Sequence, residues 1–339
     1  MKILVTGGLG YIGSHTVVEL QQKNYQVLII DDCSNSSEDV LDNIEKITGT
    51  KPLFEKFDLR KKEKVQDFFT RHSDIKGVIH FAASKAVGES VENPLKYYEN
   101  NLGTLVYILQ ELENKTEASF IFSSSCTVYG VADKLPVTEQ TPVKPAESPY
   151  GNTKQIGEEI IADICKTETK LNAIALRYFN PIGAHESFQI GELPLGVPQN
   201  LVPFITQTGA GLRKELSVFG KDYDTHDGTC IRDYIHVVDL AKAHIIALER
   251  LLESKNKEKF EVFNIGTGKG STVLEVIESF ERVAEQKLPY KFAERRSGDV
   301  PVCYADTSFA NNELGWKAES SLDVAVKTAW EWEKKVRGK

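Results

Sequence analysis

The sequence predicts a doubly wound α/β fold, in which helices cover both faces of a parallel sheet, with a smaller C-terminal α/β lobe. Two observations predict it. Short β-branched apolar runs alternate with longer segments of helical period over about the first 180 residues, and a glycine cluster follows the first run at once. The chain has 339 residues, of which 41% are hydrophobic and 27% charged, so it can bury a large core.

The first half of the chain carries the elements of one sheet. Strands are expected at Ile3–Val5, Gln26–Ile30, Pro52–Phe57, Gly77–Phe81, Ser119–Phe122 and Ala173–Arg177. Apolar stripes predict helices at Ile12–Lys23 and Leu102–Leu112. Strand, helix and strand in this order indicate a parallel sheet with right-handed crossovers.

The pattern changes after Phe179, because residues 183–220 are rich in glycine and proline. We therefore expect a first domain at residues 1–180 and a substrate-covering lobe at residues 181–339. Within the lobe, the sequence predicts a strand at Arg232–Val238, a helix at Asp239–Leu252 and a strand at Glu261–Ile265. On the sequence it stays open whether segments at about 231–265 pack with the first domain rather than with the lobe.

Charge and cysteine usage exclude several classes of partner. Lys and Arg total 41 against 49 Asp and Glu, giving a net charge of −8, whereas nucleic-acid and anionic-membrane binders normally carry a basic excess. The five cysteines are scattered and never form a CxxC pair, so neither a disulfide framework nor a metal site is predicted. The N-terminus has no room for the apolar region of a signal peptide before the glycines. We expect a cytoplasmic, globular protein.

The glycine cluster has the spacing of a dinucleotide-binding loop. Gly8, Gly10 and Gly13 satisfy GxGxxG, and Gly7 with Gly10 and Gly13 satisfies GxxGxxG. The cluster follows a predicted strand and opens a predicted helix, whose free N–H groups and dipole favour a pyrophosphate. A plain glycine turn can give the same pattern, but it does not require this context.

An acidic pair stands where such a loop needs one. Asp31 and Asp32 end the second predicted strand, and Asp31 lies 18 residues beyond Gly13, close to the offset of the acid that accepts the adenosine ribose hydroxyls. A carboxylate at this place repels a 2′-phosphate, which favours NAD over NADP. An acidic turn residue is the alternative interpretation.

A tyrosine and a lysine point to proton transfer. Tyr150 and Lys154 are four residues apart, hence on one face of a helix. A lysine ammonium lowers the pKa of a nearby phenol toward the range of a general base. The serine-rich stretch at 123–125 follows the fifth predicted strand, where ligands bind in such sheets, so that a serine there can hydrogen-bond the tyrosine hydroxyl and a substrate hydroxyl.

Taken together, these motifs resemble the extended short-chain dehydrogenase/reductase family and, within it, the UDP-glucose 4-epimerases. The resemblance covers residue 2 to about Trp316. Its most specific stretches are Gly10-Tyr11-Ile12-Gly13-Ser14-His15, Ser123 to Gly130, Arg177 to Ala184, Asp227-Gly228-Thr229, Arg232 to Val237 and Arg295-Arg296-Ser297-Gly298-Asp299.

The resemblance implies an NAD cofactor and a UDP-hexose substrate. The implied NAD contacts are Gly7, Gly10, Tyr11, Ile12, Gly13, Asp31, Asp32, Cys33, Ser34, Asn35, Ser36, Asp58, Leu59, Phe81, Ala82, Ala83, Lys85, Asn100, Ser125, Tyr150, Lys154 and Phe179. The implied UDP-sugar contacts are Ser125, Tyr150, Asn180, Asn200, Leu201, Ser217, Phe219, Arg232, Arg296, Asp299 and Cys303. The two arginines suit a diphosphate because each guanidinium is a planar fork of donors.

The implied reaction is a reversible 4-epimerisation through a 4-keto sugar. Tyr150 takes the proton of the sugar 4-hydroxyl, Lys154 holds the nicotinamide ribose and lowers the phenol pKa, and Ser125 positions the proton. Cys303 departs from those epimerases that carry tyrosine there, and a small residue implies additional activity on UDP-GlcNAc and UDP-GalNAc; a merely packed cysteine is the alternative.

Other functions remain open on the sequence. A nucleotide-sugar 4,6-dehydratase is the nearest rival, although Cys126 and Thr127 occupy the places where its acidic pair is usual. A UDP-sugar decarboxylase, a net reductase and a non-catalytic NAD-binding protein are further alternatives. The resemblance also implies a homodimer, formed through helices around Leu102–Leu112 and Ile156–Lys166.

Overall fold

The computed structural model describes residues 1–115, 117–296 and 300–338. Its strands are β1 (Lys2–Thr6), β2 (Gln26–Asp31), β3 (Leu53–Lys56), β4 (Ile75–His80), β5 (Ala118–Ser123), β6 (Leu171–Tyr178), β7 (Asn180–Ile182), β8 (Leu216–Phe219), β9 (Ile231–Arg232), β10 (Tyr234–His236), β11 (Phe260–Ile265), β12 (Ser271–Thr272), β13 (Tyr290–Ala293) and β14 (Val302–Cys303). Its α-helices are α1 (Tyr11–Gln22), α2 (Asp39–Thr48), α3 (Lys62–Arg71), α4 (Val87–Glu92), α5 (Pro94–Tyr97), α6 (Gly103–Leu112), α7 (Pro149–Cys165), α8 (Leu201–Gly209), α9 (Val237–Leu252), α10 (Val273–Ala284) and α11 (Leu322–Val336).

The described residues form a seven-stranded, all-parallel sheet in the order β11-β6-β5-β4-β1-β2-β3, which confirms the predicted fold class. Its central strands are buried on both faces, as parallel strands under two helical layers must be. One face packs against α1, α2 and α9, and the other against α3, α6 and α7. β11 adds the last strand from far along the chain, beside β6.

The parallel arrangement brings the carboxyl ends of the strands to one edge of the sheet. The loops after β1, β2, β4 and β5 all leave from this edge, which is where open α/β sheets bind their ligands. The chain order therefore places the glycine cluster, the acidic pair and the serine-rich turn next to one another.

The remaining elements build a smaller lobe with its own apolar core. β7 pairs with β10, β9 lies between β12 and β14, and β8 pairs with β13. The core lies between α8, α10 and α11 and includes Val202, Phe280 and Trp330. No helix in the described ranges has the length and apolar character needed to cross a bilayer.

The prediction of one strand at Arg232–Val238 was wrong. The segment divides into β9 and β10 at Asp233, and α9 begins at Val237 rather than Asp239. The Asp233 N–H donates to the carbonyl of Cys303 at 3.2 Å, whereas its own carbonyl accepts from the Asn180 N–H at 2.9 Å. The chain thus passes from one small sheet to another, because its partners lie in distant segments.

Candidate active site

The loop between β1 and α1 has no space for a side chain at two of its glycines. Gly7 has a φ of +67°, and a Cβ on it would lie 2.8 Å from the backbone nitrogen of Ala82. A Cβ on Gly13 would lie 2.2 Å from the carbonyl oxygen of Gly7. Gly10 is the N-cap of α1 and has no side chain to accept a hydrogen bond. The N–H groups in the first turn, which holds Tyr11 and Ile12, therefore receive no side-chain cap from Gly10. This arrangement fits a pyrophosphate at the helix N-terminus.

Asp31 ties this loop to the turn that follows β2. Its carboxylate accepts hydrogen bonds from the N–H of Leu9 at 3.1 Å, the N–H of Cys33 at 2.9 Å and the hydroxyl of Ser36 at 3.0 Å. Burial nevertheless raises the pKa of Asp31 above its ordinary value. The other predicted contacts in this turn are Asp32, Ser34 and Asn35. A carboxylate here can accept from ribose hydroxyls and disfavours a 2′-phosphate, as predicted for an NAD site.

Two further predicted cofactor residues follow β3. The Asp58 carboxylate accepts from Arg60 Nη2 at 2.7 Å and Nε at 3.0 Å, and the guanidinium holds the pKa of Asp58 below its usual range. Leu59 is buried in the core under the sheet. Asp58 lies just after the carboxyl end of β3, the same edge as the glycine loop.

The segment after β4 continues the predicted cofactor wall with Phe81, Ala82, Ala83 and Lys85. The Phe81 N–H donates to the carbonyl of Thr6 at 3.0 Å, which holds this segment against the end of β1. Asn100 lies in a π-helical turn before α6 and donates from Nδ2 to the Ser84 hydroxyl at 3.1 Å. Phe179, buried after β6, donates its N–H to the carbonyl of Ile265 at 3.2 Å.

The three predicted catalytic residues converge at the end of β5. Ser125 and Tyr150 are both buried, and the Ser125 side chain lies near enough to the phenol to lower its pKa. α7 places Tyr150 in its first turn, since Ser148 caps the helix by accepting from the Gly151 N–H at 3.1 Å. Lys154 Nζ lies one turn further on, 5.8 Å from the centroid of the Tyr150 ring. The structure therefore brings together the residues that a proton transfer needs.

Burial dominates the electrostatics of this group. It raises the pKa of Tyr150 well above its ordinary value, and the nearby Ser125 side chain opposes that shift only in part. The prediction that Lys154 lowers the phenol pKa stays a prediction, since desolvation is the largest cause of the shift. Burial also lowers the pKa of Lys154 to about 8, so the ammonium titrates near neutrality. Lys154 Nζ donates to the carbonyl of Ser123 at 2.7 Å.

The predicted substrate residues lie around the small sheets of the lobe. Arg232 on β9 is paired in register with Cys303 on β14. The guanidinium of Arg296 lies 4.9 Å from the ring centroid of Phe219, at the end of β8. The others are Asn180 on β7, Asn200 and Leu201 at the start of α8, and Ser217 on β8. Asp299, predicted from the same motif, lies outside the described residues.

Cys303 has a partner that the sequence does not reveal. Its side chain packs beside that of Cys126, the residue after Ser125, and Cys126 lowers the pKa of the Cys303 thiol. Both side chains pack against the same buried cluster, which includes Tyr129 and Phe179. Cys303 is therefore in contact with the turn that carries the catalytic serine.

Sequence reasoning missed two acidic residues at this edge. Glu192 accepts from Asn200 Nδ2 at 2.7 Å and lies 3.7 Å from Lys85 Nζ, so it joins a predicted substrate residue to a predicted cofactor residue. No spacing rule identifies it, because it stands in an irregular segment. Glu158 lies beneath the catalytic group on α7, and its position eight residues after Tyr150 is a helical signal that could have found it.

The described residues contain no cluster of three or more His, Cys, Asp or Glu side chains able to hold a metal ion. His15, His80 and His244 are fully buried, and burial lowers their pKa values to about 3, about 3 and about 4. They are neutral packing residues at ordinary pH.

Comparison with known proteins gives a consistent result. The model of the family described as GDP-mannose 4,6 dehydratase matches residues 4–329. The UDP-glucose 4-epimerase of Haemophilus influenzae is 47% identical over 334 residues, which is 98% of both chains.

Two solved structures extend the comparison to the fold. A UDP-glucose-4-epimerase from Stenotrophomonas maltophila, with bound NAD and formylated UDP-arabinopyranose, is 44% identical with a TM-score of 0.95, covering 100% of this chain and 99% of that one. The enzyme from Bifidobacterium longum, in complex with NAD+ and UDP, is 44% identical with a TM-score of 0.94, covering 99% and 98%. A chain that shares sequence and fold over its full length with these enzymes, and carries the serine, tyrosine and lysine at one sheet edge, belongs to the UDP-glucose 4-epimerase family of extended short-chain dehydrogenases/reductases.

Proposed function

We propose that this protein is an NAD-dependent isomerase that interconverts UDP-galactose and UDP-glucose through a 4-keto sugar. The observation that carries the proposal is the convergence of Ser125, Tyr150 and Lys154 beside the glycine loop. The family relationship supports the same reaction.

The chain's own residues fit an NAD molecule. The close approach at Gly7 and Gly13 and the helix N-terminus at Gly10 would hold the pyrophosphate, and Asp31 would accept from the adenosine ribose. When bound, NAD supplies a positively charged nicotinamide ring that can accept a hydride and return it. Lys154 is placed to bind the ribose next to that ring.

Tyr150 moves the proton in this reaction. It takes the proton from the 4-hydroxyl of the sugar as the ketone forms and returns it when the ketone is reduced from the other face. Because burial raises the pKa of the phenol, Tyr150 needs positive charge nearby to act as a base near neutral pH. Lys154 supplies that charge below its own pKa of about 8. Ser125, which lies near the phenol, positions the proton between sugar and tyrosine.

The lobe is proposed to hold the substrate by its nucleotide. Arg232 and Arg296 bring two guanidinium groups for a diphosphate, and Phe219 offers an aromatic face beside Arg296. Asn180 begins β7, two residues after β6 ends, and Asn200 is linked through Glu192 to Lys85. Firm binding of UDP with loose binding of the sugar lets the 4-keto sugar present either face for reduction. In this assignment residues 1–180 mainly bind NAD and residues 181–339 mainly bind the UDP-sugar.

The sugar pocket is proposed to accept N-acetylated hexoses as well. Cys303 has a small side chain and lies against Cys126, next to Ser125. A larger aromatic residue at that place would occupy space beside the reacting sugar. UDP-GlcNAc and UDP-GalNAc are thus proposed as additional substrates.

The active form is proposed to be a cytoplasmic homodimer. The helices α6 and α7 keep partly exposed apolar side chains, among them Tyr107, Ile160 and Ile164, which a second copy could cover in a four-helix interface. All five cysteines are free thiols, which suits a reducing compartment.

The proposal is tested by adding UDP-galactose to the purified protein and following the anomeric proton signals by NMR, first without and then with added NAD. We expect UDP-glucose to appear until the two sugars reach equilibrium. Unchanged UDP-galactose in both experiments would reject the proposal. A 4-keto-6-deoxy product would instead identify a dehydratase, and NAD binding without turnover would identify a binding protein.

A further inference from the structure

The residue that follows the catalytic pair along α7 is a buried carboxylate. Tyr150, Lys154 and Glu158 are spaced four residues apart, so they occupy three successive turns on one face of the helix. Only 10% of the Glu158 side chain is exposed. A carboxylate buried this deeply needs charged partners, and it stands one turn from the lysine whose charge the reaction uses.

The Glu158 carboxylate joins three elements of the fold. Oε1 accepts from the Ser124 hydroxyl at 2.5 Å and from Arg177 Nε at 2.9 Å, while Oε2 accepts from Arg177 Nη2 at 2.5 Å. Ser124 directly precedes Ser125 in the turn after β5, and Arg177 lies on β6. Arg177 Nη1 in turn donates to the Tyr129 hydroxyl at 3.1 Å. Glu158 therefore fixes the catalytic turn to the helix that carries Tyr150 and Lys154.

The groups that act on Lys154 are Tyr150 and Glu158 on α7, His80 on β4, and the Phe122 ring and Ser123 carbonyl on β5. One step further out on β6, Arg177 pairs with Glu158 and the Tyr178 hydroxyl is hydrogen-bonded to the Ser123 hydroxyl. His80 is neutral, because burial lowers its pKa to about 3, and both tyrosines are protonated, because burial raises their pKa values. Glu158 is the negative charge that opposes the desolvation of the ammonium.

We propose that Glu158 is a positioning residue of the epimerisation, which keeps Lys154 in the ammonium form and holds the Ser124–Ser125 turn in place. This inference rests on the proposed function, since the charge of Lys154 matters there through the acidity of Tyr150. The Glu158 carboxylate accepts its hydrogen bonds from Ser124 and Arg177 rather than from the Tyr150 phenol. Its effect is carried by the residues it holds and by its charge.

The substitution Glu158→Gln separates the charge from the shape of the side chain. It removes the negative charge beside Lys154 and leaves the Arg177 guanidinium uncompensated, and both changes favour the neutral amine. For unit charges one helical turn apart in a partly polarisable interior, we expect the pKa of Lys154 to fall by on the order of one unit. The alkaline limb of the kcat/KM profile should move to lower pH by the same amount as the Lys154 pKa. This shift lowers kcat/KM by about threefold at pH 7.5 and about eightfold at pH 8.5.

Two further variants separate this effect from a loss of packing. Glu158→Asp keeps the negative charge but moves it away from Lys154, because the aspartate side chain is one methylene shorter. Its alkaline limb should lie between those of wild type and Glu158→Gln. Glu261→Gln is the matched control, because Glu261 forms a similar ion pair with Arg250 at 2.7 Å with exposures of 9% and 10%, on β11. It should lower the unfolding midpoint and leave the pH profile unchanged.

The pKa of Lys154 is also measured without turnover, by NMR titration of the NAD-bound protein with 13Cε-labelled lysine, the signal being assigned with Lys154→Arg. A lower pKa in Glu158→Gln, or in Glu158→Asp should the glutamine variant not fold, supports the inference. An unchanged Lys154 pKa in a folded variant overturns it. If Glu158→Gln lowers the pKa of Lys154 but wild type does not epimerise UDP-galactose, the proposed function fails while the electrostatic role of Glu158 stands.

Discussion

Removing one oxygen from Tyr150 tests the proton transfer with little change in packing. Tyr150→Phe keeps the buried ring and loses only the hydroxyl that lies near Ser125. We expect kcat to fall by about 10²- to 10⁴-fold, the usual contribution of a positioned general acid–base group. Turnover is measured with UDP-galactose at saturating concentration. NAD content and thermal midpoint should stay near wild type, and a variant with undiminished kcat would contradict the assigned role.

A substitution at Cys303 tests the substrate range of the pocket. Cys303→Tyr places a large side chain beside Cys126 and the catalytic turn. We expect the rate with UDP-GalNAc to fall much more than the rate with UDP-galactose, because the acetamido group needs the space that the ring would fill. Initial rates on both sugars give the ratio. An equal ratio in the variant and wild type would show that the cysteine is merely packed.

Helical spacing singled out Tyr150 and Lys154, and the end of a predicted strand indicated the serine-rich turn, because these are local signals; the choice of Ser125 came from the family resemblance. Spacing does not predict the protonation state of these side chains. The pKa of the Tyr150 phenol depends on burial and on side chains distant in the chain, such as Tyr178 on β6. The packing of Cys126 beside Cys303 was not predictable for the same reason, since it joins segments far apart in the sequence.

A glycine substitution tests the loop that joins β1 to α1. Gly13→Ala would force a Cβ to within 2.2 Å of the Gly7 carbonyl oxygen, so the loop must shift at the place proposed for the pyrophosphate. We expect NAD affinity to fall at least tenfold, as measured by isothermal titration of protein freed of nucleotide.

The matched control is Gly103→Ala at the start of α6, where a Cβ would meet nothing within 4 Å. This change should leave NAD binding intact and leave stability unchanged or raised by about 0.5 to 1 kcal/mol, since alanine favours a helix more than glycine does. Equal NAD affinity in both variants would contradict the role assigned to the loop.

At the scale of elements, the strands of the central sheet were predictable because each is a continuous apolar run. Ser119–Phe122 and Gln26–Ile30 were placed within one or two residues of β5 and β2. The small strands of the lobe were not, since two- and three-residue strands carry no periodicity. β9 and β10 are separate strands because the Asp233 backbone between them hydrogen-bonds to Cys303 on one side and to Asn180 on the other. No local sequence pattern encodes these distant hydrogen bonds.

For the whole molecule, unfolding in acid takes up protons at buried histidines. His244 has a folded pKa of about 4 against about 6.5 when exposed, so it has no effect above pH 7 and destabilises the fold progressively below pH 6.5. Relative to wild type, His244→Gln should gain about 2 kcal/mol in the free energy of unfolding between pH 7.5 and pH 5. Urea denaturation at the two pH values measures this difference.

A buried side chain without a titrating group supplies the comparison. Val276 is fully buried, so Val276→Ala should differ from wild type by the same amount at both pH values. A pH-independent difference for His244→Gln would show that this histidine is not held neutral by burial.

The strand order has a consequence for synthesis of the chain. β6 needs β11 on its outer side, and α1 needs α9, yet Phe260, the first residue of β11, lies 82 positions beyond Tyr178, the last residue of β6. At about 5 to 20 residues per second, a ribosome takes about 4 to 16 s to synthesise this stretch. During that time a nascent chain presents an unpaired apolar strand edge next to an uncovered helix. This interval is when the emerging polypeptide most needs a chaperone, and when codon choice between residues 180 and 265 would influence its yield.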